Sequence, residues 1–79
     1  MEAIDARIRR VMSDILSVPA ETIDEQASPR TIERWDSLRQ MNLLVALEEE
    51  FSITFEDAWL SELQSFGAIR TTVARVLAP

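Results

Sequence analysis

The chain has 79 residues, 47% of them hydrophobic, a net charge of −6 at pH 7, and neither Cys nor His. That composition suits one small folded domain with a modest core. It excludes disulfides, thiol chemistry, Cys/His zinc and any Ser–His or Cys–His nucleophile pair.

In chain order, residues 2–16 form an amphipathic helix. Ile4, Ile8, Val11, Met12, Ile15 and Leu16 share one face at helical spacing. Arg7, Arg9, Arg10 and Asp14 fall largely off that face, and charge runs of this kind form a solvated surface. Pro19 is a stop signal. Residues 17–35 follow as a long connection with two prolines and no sustained period, which in a small domain is functional or internally packed. Val18, Ile23, Ala27, Ile32 and Trp35 are its anchors to the core, with room for a short helical turn at 20–25.

Residues 36–51 form the second helix, with Asp36 as N-cap and Ser37 on the first turn. A hydroxyl there stands beside the positive end of the helix dipole, where free N–H groups favour an anion such as a phosphate ester. At about 100° per residue the helix carries two apolar stripes, Leu43, Leu44, Leu47 and Phe51 on one side and Leu38, Met41 and Val45 on the other. Together they cover roughly 220° of the circumference. A core needs little more than a third of it, so the second stripe is exposed and marks an interaction site.

Residues 52–55 are extended. Thr54 and Asp57 have capping-box spacing, which predicts a short helix bearing Ala58, Trp59, Leu60 and Leu63. Ser65 caps a last helix with Phe66, Ile69, Val73, Val76 and Leu77 as its apolar side, and Pro79 ends it. The fold class is all-α: a small antiparallel four-helix bundle of three longer helices and one short, with a long loop between the first two. Residues 1–79 are one domain. The start at Met1 and the lack of flanking linkers favour a stand-alone chain.

Charge is uneven along this plan. Residues 1–35 carry seven acids and five Arg, residues 36–62 seven acids and one Arg, and residues 63–79 two Arg and no acid. Acidity therefore gathers on the second helix and just beyond it, where it steers basic partners. An acidic chain is a poor partner for nucleic acid and anionic membranes. The single glycine, Gly67, excludes a Gly-rich phosphate cradle, and no stretch fits an EF-hand loop. No apolar run is long enough to insert in a membrane, and Met1-Glu2-Ala3-Ile4-Asp5 is no signal peptide, so a cytoplasmic location is expected.

Asp36-Ser37-Leu38, the downstream Ala46-Leu47-Glu48-Glu49-Glu50-Phe51 and the order of helices together resemble the acyl carrier proteins of the phosphopantetheine-binding superfamily. The resemblance covers most of the chain. It implies that a phosphopantetheinyl transferase attaches 4′-phosphopantetheine from coenzyme A to Ser37. The arm's thiol then carries acyl groups as thioesters in a specialised lipid or secondary-metabolite pathway. The chain would be no enzyme but a loaded substrate, a monomer serving an acyl-activating ligase, ketosynthase or acyltransferase.

Residue by residue, the resemblance makes Asp36 the group that helps the transferase position Mg²⁺ and coenzyme A. Leu38, Met41 and Val45 become the apolar docking patch, and Glu48, Glu49, Glu56 and Asp57 the acids that meet basic residues of partners. Leu44, Leu47, Phe55 and Leu63 become positions lining the interior where some carriers shelter the acyl chain. Three departures stand out: Arg39 where the family usually has an acid, Asn42 where Glu is common, and Arg34 where Gly often lies. Arg39 reverses a charge beside the arm and bears on partner choice. Two rivals remain. An aminoacyl or peptidyl carrier is disfavoured because Asp36 stands where peptidyl carriers commonly have His. A non-covalent helical interaction module would use the Leu38/Met41/Val45 stripe and leave Ser37 incidental.

Overall fold

The computed structural model describes residues 3–78. They form three α-helices, α1 (Ile4–Leu16), α2 (Ser37–Phe51) and α3 (Phe66–Leu77), with 3₁₀ turns at Ala20–Thr22 and Asp57–Glu62 and no strand among the described residues. Glu2 and Pro79, the expected limits of the first and last helices, lie outside the described residues.

α1 packs Ile8, Val11, Met12 and Leu16 inward, as its period requires. It ends on Ser17 in the left-handed region (φ 57°). Ser13 Oγ donates to the Val18 carbonyl at 2.6 Å, turning the chain into the long connection. There Ile23, Ala27, Ile32 and Trp35 are buried and Val18 is half-buried, so the connection is a packed wall of the core.

The helices run antiparallel to α1, and three arginines show it. Arg7, near the start of α1, donates to Glu50 Oε2 at 3.0 Å and to the Glu50 carbonyl at 2.9 Å, and its guanidinium lies 4.4 Å from the Phe51 ring centre. Arg9 donates to the Ile23 carbonyl at 2.8 Å and stacks 4.4 Å from the Phe66 ring centre, while Arg70 meets Asp5. The expectation of a solvated arginine face is therefore corrected for Arg7 and Arg9. Their alkyl stems and planar heads cover aromatic rings and take up orphan carbonyls, which a pattern of local spacing does not reveal.

Two further expectations change. Thr54 caps no helix: residues 53–56 are extended and the turn begins at Asp57, as a 3₁₀ segment without a side-chain cap. The Phe55 N–H is instead taken by Glu48 Oε2 at 2.7 Å, which holds the segment extended against α2. Leu77, expected on the apolar side of α3, is 40% exposed, because α3 outruns the core in its last turn. Ser65 does cap α3, accepting the Ala68 N–H at 3.0 Å.

Candidate functional site

The site is built on the first turn of α2. Asp36 is its N-cap: Oδ1 accepts the Arg39 N–H at 2.9 Å, closing one of the donors a helix start leaves open. Oδ2 accepts from the Arg39 guanidinium, also at 2.9 Å. The Arg39 backbone N–H first, and its guanidinium after, hold the Asp36 carboxyl below the usual carboxylate range. Sequence reasoning treated Arg39 as a reversed charge facing partners. The i,i+3 spacing from Asp36 was the signal for this pair.

Ser37 follows on the exposed surface of the first turn. What it has is position: the positive end of a 15-residue helix and the Arg39 side chain within the same turn. A phosphate ester on that oxygen fits the helix end, and the charge of Asp36, the nearby acid, is offset in part by its exposed ion pair with Arg39.

On one side of Ser37 a cleft of about 350 Å³ opens, lined by Pro29, Trp35, Asp36, Ser37, Gln40 and Gln64. Trp35 is 2% exposed, and its indole N–H donates to Gln40 Oε1. Gln40 Nε2 in turn donates to the Leu63 carbonyl at 2.7 Å. Pro29, Gln40 and Gln64 were missed in sequence. They come from three separate segments, and only Gln40, a polar residue on the core side of α2, left a trace.

On the other side lies the apolar stripe. Leu38, Met41 and Val45 are 70%, 68% and 53% exposed, whereas Leu43, Leu44, Leu47 and Phe51 are buried. The two stripes are thus separated as the helical count requires. The acids divide. Glu49, Glu56 and Asp57 are exposed, but Glu48 is half-buried and clipped to Phe55. Leu44, Phe55, Leu47 and Leu63 all lie in the core. Leu44 and Phe55 also border an open groove of about 200 Å³ with Met41, Val45, Glu48, Asp57 and Leu60, and Leu47 and Leu63 do not reach it. No cluster of metal-ligating residues and no helix long and apolar enough to cross a membrane occur among the described residues.

Residues 6–73 match the family model described as the phosphopantetheine attachment site. The chain belongs to that family. It is also similar to an acyl carrier protein of Saccharopolyspora erythraea, 35% identical over 63 residues, which is 80% of this chain and 66% of the relative. The match therefore spans just under two thirds of that protein's length. The family's cofactor, covalent 4′-phosphopantetheine, supplies a terminal thiol to a chain whose own side chains offer none.

Proposed function

We propose that this chain is an acyl carrier whose attachment residue is Ser37. The observation that carries this is an exposed hydroxyl on the first turn of α2, behind a capping aspartate and within the family match. In the loading step the Ser37 oxygen attacks the phosphorus of coenzyme A that bears the pantetheine. A P–O bond to serine forms, adenosine 3′,5′-bisphosphate leaves, and the serine proton passes to base on the transferase or to solvent. Asp36 faces the transferase and its Mg²⁺.

Partners dock on Leu38, Met41 and Val45. This patch has the character of an interaction surface, large side chains left in water and rimmed by charge. Glu49, Glu56 and Asp57 give it electrostatic steering toward basic partners, with Arg39 marking the serine end. Glu48 contributes to the field but is engaged with the backbone. The groove at Leu44 and Phe55 is where an acyl chain would begin to enter the bundle, with Leu47 and Leu63 deeper on that path. The chain acts as a monomeric, non-catalytic, cytoplasmic shuttle between a phosphopantetheinyl transferase, an acyl-activating ligase and a ketosynthase or acyltransferase.

The test is direct. The purified apo chain is incubated with coenzyme A, Mg²⁺ and a broad-specificity phosphopantetheinyl transferase, and its intact mass is taken. One phosphopantetheine adduct is expected, absent in Ser37→Ala. An unmodified folded chain beside a working control carrier would refute the proposal.

A further inference from the structure

Ser37 stands on a boundary. At about 100° per residue its side chain leaves α2 between the buried stripe and the exposed one. The exposed side is the apolar patch. The buried side opens into the cleft of Pro29, Trp35, Asp36, Gln40 and Gln64, so an arm tethered to Ser37 is attached at the mouth of a preformed cavity.

The floor of that cleft is fixed. Trp35 hydrogen-bonds to Gln40, and Gln40 to the Leu63 carbonyl, so both ends of the Gln40 amide are used. The same two bonds tie the first turn of α2 to the backbone just before α3. Leu43, Leu47 and Leu63 are 0% exposed and do not line the cleft. The rim, by contrast, is formed by the exposed residues Pro29 and Gln64.

We infer that this cleft is the resting site of the proximal part of the phosphopantetheine arm. The inference rests on Ser37 as the attachment residue. The chemistry of the two surfaces corresponds: beyond its phosphate the arm presents a branched carbon with two methyl groups, then a hydroxyl and an amide. The cleft is lined by the apolar residues Trp35 and Pro29 together with the amide-bearing Gln40 and Gln64, a mixture suited to such a ligand. With the arm parked on this side, Leu38, Met41 and Val45 stay open to a partner whether or not the arm is present.

The test uses isotope-labelled full chain, converted from apo to holo with coenzyme A, Mg²⁺ and transferase and verified by intact mass. Isotope-filtered NOE spectra of the holo form should show contacts between the arm's geminal methyl protons and the Trp35 indole. The largest side-chain shifts between apo and holo should fall on the Trp35 indole N–H and the Gln64 amide. Gln64→Phe, which fills the cleft from an exposed rim position, should remove those contacts while the adduct mass is retained. Contacts confined to Leu38 and Met41, or an arm without contacts to the protein, overturn the resting site and leave the attachment standing. Failure to form any adduct overturns the attachment itself, and the resting site with it.

Discussion

Glu48 accepts the backbone N–H of Phe55 across 2.7 Å, binding the extended segment after α2 back onto the helix that precedes it. This one carboxylate serves the fold before it serves any partner. Glu49, next to it, is exposed and makes no such bond in the described structure. The two neighbours should therefore respond differently to substitution. Glu48→Ala should lower stability by about 1–2 kcal/mol in denaturant titration, the worth of a part-exposed charge-assisted hydrogen bond. Glu49→Lys with Glu56→Lys should leave stability within about 0.5 kcal/mol. That double variant should weaken docking of a basic partner and flatten its salt dependence. Unchanged affinity at low salt would remove these acids from the interface.

The caps make a second pair. Ser65 holds the Ala68 N–H, so Ser65→Ala should cost about 1 kcal/mol. Thr54 has the fuller signature, with Asp57 at capping-box spacing, but caps nothing, and Thr54→Ala should be near neutral. Thermal unfolding of both variants would check this, and an equal loss would return Thr54 to the role its spacing suggested.

How much was legible follows from these cases. The start of α2 and its two stripes could be read because cap and period are local, and both describe a single helix. Arg7 and Arg9 could not, since their partners, Glu50 and the Ile23 carbonyl, lie elsewhere in the chain. Thr54 misled because the turn starts three residues later, at Asp57, after a segment that Glu48 on α2 ties down through the Phe55 N–H. The cleft beside Ser37 was invisible for the same reason: residues 29, 35, 40 and 64 meet only once the long connection folds under α3.

A third prediction concerns Arg39. Its guanidinium occupies Asp36 Oδ2, so a transferase-bound Mg²⁺ that engages Asp36 must compete with it. Arg39→Ala should move the Mg²⁺ dependence of loading to lower concentration by about a few-fold, the scale of an exposed ion pair. The cap remains, because Oδ1 holds the backbone N–H at position 39. A rightward shift in an Mg²⁺ titration of initial loading rate would contradict competition.

Acid stability gives a fourth. Arg70 bonds Glu25 at 2.6 Å and Asp5 at 3.4 Å, pinning the long connection and α1 to α3. The Arg70 hydrogen bond, then its charge, holds the Glu25 carboxyl below its ordinary value, with Arg9 adding a smaller pull. A carboxylate depressed on folding contributes stability that is complete above its unfolded pKa of about 4.3 and is lost as pH falls through the lower folded value. Arg70, raised by the same partners, stays charged throughout and adds nothing to the slope. Glu25→Gln should thus melt below the parent chain near neutrality, and the two melting temperatures should converge as pH falls below the depressed folded value. A gap that persists in acid would assign the difference to packing.

The guanidinium groups that stack on Phe51 and Phe66 and hold Asp36 have one more consequence. Every basic side chain in the sequence is arginine, and there is no lysine, cysteine or histidine. Guanidinium stays protonated and is a poor nucleophile, whereas a lysine amine, once deprotonated, attacks an activated ester. A carrier so composed cannot lose its cargo to its own lysine, cysteine or histidine side chains, which leaves more of the thioester's lifetime to the enzymes that come to collect it.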